Sequence, residues 1–168
     1  MVTALTVVLT LAVILNIALT FALLRRVAVH DARLAAIEKG APTMADVGER
    51  IEPFTATTTA GEQVSRDDLT PGTLVGFFDP DCEVCQSHVA GFVAAAGRRS
   101  GDRALVVVRE AEESQLMADA FGPSIRTVIE RRRGPVARAF HVMATPSFCT
   151  VGPGQVIASH DYEQPALV

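Results

Sequence analysis

The sequence predicts an α/β domain with a mixed central sheet, preceded by one N-terminal transmembrane helix. Three observations carry that expectation. Residues 2–24 contain no charged side chain, and Leu, Val, Ala, Ile and Thr dominate them. Beyond residue 41, short apolar runs alternate with helical patterns and close on a hairpin, the order of an α/β sandwich. Within that alternation Cys82 and Cys85 stand where an apolar run gives way to a helical one.

The apolar run is long enough for the ~20 residues that carry a helix across a hydrocarbon core. A cleaved signal peptide is the other reading, but there is no basic n-region and no clear small-x-small cleavage site. A very apolar core helix is a third. Residues 1–24 are therefore expected as a transmembrane anchor. Residues 25–40 mix Val27, Val29, Leu34 and Ile37 with charges and read as a helical stalk, broken by Gly40 and Pro42. Residues 41–168 should form the folded domain.

Net charge is −4, and of 15 basic residues only Lys39 is lysine. No basic patch is interleaved with aromatics, so a nucleic-acid partner is not expected. Arg131, Arg132 and Arg133 form the one basic run of the domain and read as a solvated loop. Three cysteines exclude a fully paired disulfide scaffold.

Residues 54–64 are Thr-rich around Ala60-Gly61 and predict a β-hairpin. Residues 65–70 predict a capped helical turn, ended by Pro71-Gly72. The continuous apolar run 73–78 suits a strand buried on both faces. In the next helix Cys85, Val89, Phe92, Val93 and Ala96 share one face. Residues 104–108 predict another buried strand. Residues 112–121 predict a helix with Leu116, Met117, Ala120 and Phe121 inward, stopped by Gly122-Pro123. A strand over 125–129 follows. A short helix over 135–141 comes next, with Val136, Ala139 and Phe140 inward. The last hairpin spans 147–151 and 155–159, around Gly152-Pro153-Gly154.

Cys-x-x-Cys at a strand-to-helix junction suits dithiol chemistry. The first thiol lies at a helix N-terminus, where free N–H groups favour a thiolate. The second is one turn away, within disulfide reach. By itself the motif is also half of a zinc site. Thr145-Pro146 is a further signal. Proline cannot donate to a sheet ladder, so it fits here as a cis-proline loop beside the site.

With these motifs the chain resembles the thioredoxin superfamily, in particular its membrane-anchored TlpA-like branch. Gly48-x-x-Ile51-x-x-Phe54 is similar to that branch's leading segment. Phe77-Phe78 with Cys82-x-x-Cys85 is similar to its active-site strand and helix. Gly134 to Val142, leading to Ala144-Thr145-Pro146, is similar to its approach to the cis-proline. The anchor and the wording around the cysteines look closest to the methylamine dehydrogenase accessory (MauD-like) proteins. The resemblance implies a thioredoxin-like three-layer sandwich and a thiol–disulfide oxidoreductase. Cys82 is then the exposed nucleophile and Cys85 the buried resolving thiol. Thr145 and cis Pro146 shape a groove for an extended, cysteine-bearing client segment. It implies no cofactor beyond a redox-active Cys82–Cys85 disulfide. The partners it implies are a cysteine-containing client protein, the membrane and a membrane electron-donor protein.

Several features depart from the pattern. Asp81 replaces the Trp that often precedes the first cysteine. Asp79, Asp81 and Glu83 surround Cys82 with negative charge, which disfavours a second anion and predicts a reductant or isomerase rather than a strong oxidant. His88 stands where the pattern often has a proton-shuttling Glu; a surface helix residue is its other reading. Cys149 reads as a small buried residue, with a third redox thiol as the rarer alternative. His141 reads as a turn residue, or else as a groove or metal residue. The C-terminus is short and broken by Pro165 where such domains usually end in a helix, so another element or a partner should cover that sheet face.

Two alternatives to the oxidoreductase stand: a metal-delivery protein using the cysteines with His88 and His141, and a catalytically idle docking domain. The cysteine spacing argues against the first, and the intact cysteines and Thr145-Pro146 argue against the second. Orientation is contested within the sequence. Arg25, Arg26, Arg33 and Lys39 follow the span and argue for a cytoplasmic domain. Standing disulfide chemistry belongs outside, and the resemblance implies an extracytoplasmic domain.

Overall fold

The computed structural model describes residues 43–99 and 103–161, together with Asn16. The expected anchor and stalk thus lie, Asn16 apart, outside the described residues, as do residues 162–168. Among the described residues no helix is long and apolar enough to cross a membrane. The chain divides into two compact units, Met1–Ala41 and Pro42–Val168. All the described strands belong to the second.

The domain opens with a hairpin of β1 (Thr55–Thr57) and β2 (Gln63–Ser65), paired antiparallel. A 3-10 turn (Arg66–Asp68) follows, with Asp68 reaching back to accept the Ser65 backbone N–H at 2.8 Å. Then come β3 (Leu74–Phe78), α1 (Glu83–Gly97), β4 (Ala104–Arg109), α2 (Ser114–Ala120) and β5 (Arg126–Glu130). The chain continues through α3 (Pro135–Ala139), β6 (Ser147–Gly152) and β7 (Val156–Asp161). The main sheet runs β5-β4-β3-β6-β7. β3, β4 and β5 are parallel, whereas β6 and β7 are antiparallel additions on the β3 side. The mixed sheet expected from the sequence is therefore present.

The period-2 alternation of each strand divides the core between two faces. Val75, Phe77, Leu105, Val107 and Cys149 face one layer, made by the leading segment, the hairpin and α3. Phe140 anchors that layer, its ring 5.3 Å from Phe77 and 6.1 Å from Phe54. Leu74, Phe78, Val106, Val108 and Phe148 face α1 and α2. Phe78 is the hub there, within 4.8–5.5 Å of Phe92, Phe121 and Phe148. Gly76 lies on this second face because there is no room for a side chain: a Cβ would sit 2.5 Å from Phe92 Cε2. All five β3 residues are buried, which explains an apolar run without alternation.

Two sequence expectations need correcting. The helix expected over 112–121 begins at Ser114 and ends at Ala120, and its inward side is Ser114, Met117 and Ala118, continued by Phe121. Leu116 and Ala120 face solvent. A short helix buries one i, i+3, i+4 stripe, and Ser114 joins it by donating its hydroxyl to the Ala111 carbonyl at 2.9 Å. The strand expected over 125–129 is shifted by one residue, and its last member, Glu130, is a buried acid. That carboxylate is kept inside because it accepts the backbone N–H groups of Val136 (3.0 Å) and Ala137 (2.7 Å).

Candidate active site

The candidate site forms where β3 stops. Asp79-Pro80-Asp81 turns the chain: the Cys82 N–H donates to the Asp79 carbonyl at 3.1 Å, and the Asp81 N–H to the Asp79 carboxylate at 3.0 Å. Gln86 fastens the turn to the helix by donating from its side chain to the Pro80 carbonyl at 3.0 Å. Cys82 is the N-cap of α1, and its sulfur accepts the Cys85 backbone N–H at 3.3 Å. A sulfur in that position faces the orphan donors and the positive end of the helix.

Cys82 is partly exposed and Cys85 is fully buried; both are free thiols. The Cys85 thiol is pushed up to about 12, first by burial and then by the neighbouring Cys82 sulfur. The backbone at Asp79 and the Thr145 side chain pull it partly back. The Thr145–Pro146 peptide bond is cis, and the Thr145 carbonyl oxygen lies 4.0 Å from the Cys82 sulfur. The structure thus brings Cys82, Cys85, Thr145 and Pro146 together from two distant segments. Val84 and Met143, large exposed apolar side chains among the described residues, come from the same two segments, one within the Cys-x-x-Cys and one just before Thr145.

His88 lies on α1 with its Nδ1–H donated to the Val84 carbonyl at 2.8 Å and its ring stacked on Phe148 at 5.7 Å. His141 occupies the turn that follows α3. It has a φ of 50° and stands between two carboxylates of the leading segment, Glu49 and Glu52, each at 3.2 Å. Cys149 is buried in the hairpin-side layer, whereas Cys85 belongs to the layer on the other face of the sheet. Burial raises its thiol strongly. Among the described residues no group of three or more His, Cys, Asp or Glu is placed to hold a metal ion.

Arg109 is the residue that sequence reasoning missed. From the end of β4 it donates from Nε and Nη2 to the Asp79 carboxylate at 2.6 and 2.7 Å, and from Nη2 also to Asp81. The expected ring of three carboxylates around Cys82 is therefore corrected: Asp79 and Asp81 are paired with a guanidinium, and Glu83 remains. The pairing holds the Asp79 carboxyl below the usual carboxylate range.

A mixed sheet in β5-β4-β3-β6-β7 order, with a helix-capping cysteine beside a cis-proline loop, allows comparison with solved proteins. A thio-disulfide isomerase from Thermus thermophilus superposes with a TM-score of 0.58 at 17% identity, over 73% of this chain and 89% of that one. The thioredoxin domain of a thiol-disulfide oxidoreductase from Bacteroides vulgatus gives 0.59 at 16% identity, over 70% and 89%. A thiol:disulfide interchange protein from a Bacteroides species gives 0.55 at 18%, over 69% and 81%. The chain has the thioredoxin fold. No protein-family model matches the chain, and no curated protein matches it. At these identities the likeness establishes the fold alone. In the thioredoxin fold seen here, the two segments that carry the site are the start of α1 and the loop before β6.

Proposed function

We propose that the protein is a membrane-anchored thiol–disulfide oxidoreductase. Its Cys82–Cys85 dithiol acts on a cysteine-containing client outside the cytoplasm, as reductant or isomerase. One observation carries this reading: a half-exposed, helix-capping Cys82 lies 4.0 Å from the Thr145 carbonyl, with the buried Cys85 behind it. The names borne by the structural neighbours describe the same chemistry.

In the forward direction the Cys82 thiolate attacks one sulfur of a client disulfide. A mixed disulfide forms and the other client sulfur leaves as a thiolate. Cys85 then loses its proton, and its thiolate attacks Cys82. The second client sulfur leaves, the Cys82–Cys85 disulfide forms, and two electrons have passed to the client. Thr145 is the side chain that reaches Cys85, so its hydroxyl supports the thiolate as it develops. Cis Pro146 shapes the groove, and exposed Val84 and Met143 supply apolar contact for an extended segment. His88 packs the start of α1 on Phe148. A membrane electron donor would reduce the spent disulfide. The uncharged run 2–24 supports the anchor. Asp79 and Asp81 are paired with Arg109, and Glu83, next to Cys82 in the chain, keeps a carboxylate beside it, which supports a reducing poise.

The test is trapping in the native host. A Cys85→Ser chain, acid-quenched in whole cells, should hold a client through Cys82, and Cys82→Ser should hold none. An empty trap with Cys82 expressed and reduced would overturn the proposal.

A further inference from the structure

A cleft of about 380 Å³ opens at the ends of β3, β4 and β5, and Asp79 and Thr145 belong to its lining. It therefore adjoins the Cys82 site directly. Arg109, Arg131, Arg132 and Arg133 contribute to its walls, and Met143 to its rim.

The three consecutive arginines occupy the turn from β5 into α3, which a backbone hydrogen bond closes. The Gly134 N–H donates to the Arg131 carbonyl at 2.8 Å, and Arg133 takes a φ of 56°. Beneath it the buried Glu130 carboxylate is committed to the first N–H groups of α3. Asp79 and Asp81 are committed to Arg109. Among the described residues none of Arg131, Arg132 and Arg133 forms an ion pair, and all three are exposed. A cluster of positive charge thus lines a concavity in a chain whose net charge is −4. Asp79 and Glu130 also belong to the lining, but four guanidinium groups against two committed carboxylates leave it net positive, and a cleft with an excess of one sign of charge concentrates ligands of the other.

We propose that this cleft is the selectivity pocket of the docking groove, taking acidic side chains of the client segment within a few residues of the target cysteine. The proposal rests on the oxidoreductase reading for its choice of a peptide occupant. A segment laid across Thr145 with its sulfur at Cys82 has the cleft as its neighbour on the Met143 side. Guanidinium groups match carboxylates in geometry as well as charge.

The test uses the full-length reduced protein in detergent and two peptides sharing one disulfide, flanked by glutamates in one and by glutamines in the other. The glutamate peptide should be reduced about tenfold faster at low ionic strength, and the ratio should fall towards unity in high salt. The R131Q/R132Q/R133Q variant should lose the preference and reduce the two peptides at equal rates, and its retained reduction of the uncharged 2-hydroxyethyl disulfide shows that it is folded. Equal rates for the two peptides, or a preference that survives the triple substitution, would overturn the proposal. Binding of cysteine-to-serine versions of both peptides, read by fluorescence anisotropy, separates this from failure of the oxidoreductase reading. Without any disulfide reduction, an arginine-dependent preference for the glutamate peptide would still support the cleft, and its absence would reject it. Displacement of that peptide by an equal concentration of free glutamate would assign the cleft to small anions and also overturn the proposal.

Discussion

Arg109 grips Asp79 at two points, 2.6 and 2.7 Å, because parallel pairing sets Phe78 beside Val108 and the next residue of each strand continues the register. A cation from the second strand is thereby fixed beside the turn that leads to Cys82. It also holds Asp81, so a single guanidinium organises the turn and offsets its charge.

Arg109→Gln should consequently slow alkylation of Cys82 at neutral pH by roughly threefold to tenfold, because two carboxylates lose their counter-charge. The Cys82–Cys85 couple should become more reducing by about 10–30 mV, since disfavouring the thiolate favours the disulfide. Iodoacetamide kinetics and equilibration with glutathione check both. An unchanged rate and potential would mean that Arg109 only shapes the turn.

Acid stability should carry the same signature. The folded Asp79 carboxyl lies below its ordinary value of 3.8, chiefly through its hydrogen bonds from Arg109. The native state therefore binds fewer protons than the unfolded one in that window. Stability from this pair is present above 3.8 and lost as pH falls through the folded value. Glu130 has the opposite sign: burial raises its carboxyl above 4.5, so its contribution is present below 4.5 and is lost as pH rises through the folded value. Urea denaturation against pH should show a shallower acid limb in Asp79→Asn. Glu130→Gln should remove the decline above 4.5. A variant limb parallel to wild type would contradict the corresponding assignment.

The thiols should separate by reactivity. Cys85 is pushed up to about 12, and both Cys85 and Cys149 are buried. Brief alkylation of the folded, reduced protein near neutral pH should therefore mark Cys82 alone, and denaturation should release the other two, as read by mass spectrometry. Thr145→Val removes the side-chain hydrogen bond that pulls Cys85 down. It should slow resolution of a mixed disulfide about threefold to tenfold while leaving its formation by Cys82 near wild type. Equal effects on both steps would indicate a general disturbance of the groove.

Most of the sheet was legible in the sequence because its signals are local. The run 73–78 and the run from Leu105 to Val108 are apolar without alternation, and a strand covered on both faces needs that. Thr145-Pro146 marked the loop because proline has few places in a sheet. Arg109 left no such signal, since its partner is fixed only by the register of two strands far apart in sequence. Leu116 misled for the converse reason. Its apolar side chain fits a helical stripe, but the stripe that is buried depends on where α2 meets the sheet. The arginine run is an exposed turn, as its sequence predicts; that it also lines a net-positive cleft depends on Glu130 turning inward and on Asp79 being paired.

The close approach at Gly76 yields the sharpest packing prediction. A Cβ there would lie 2.5 Å from Phe92 Cε2 and 2.8 Å from Phe78 Cε2. Neither ring has anywhere to go: both are at most 1% exposed and meet edge to face at 5.4 Å. Gly76→Ala should therefore cost about 1–3 kcal/mol through overpacking and lower Tm by roughly 3–10 °C. The strain should also reach the chemistry, because Phe78 precedes Asp79 and Phe92 lies on the helix that Cys82 caps. Gly91 in the same helix is the control. It is exposed, with nothing within 4 Å of its would-be Cβ, so Gly91→Ala should raise stability by about 0.5–1 kcal/mol by replacing a poor helix former. Calorimetry of the two variants side by side decides the point. If Gly76→Ala melts with or above wild type, the aromatic cluster is looser than its geometry indicates and Gly76 is not held open for Phe92.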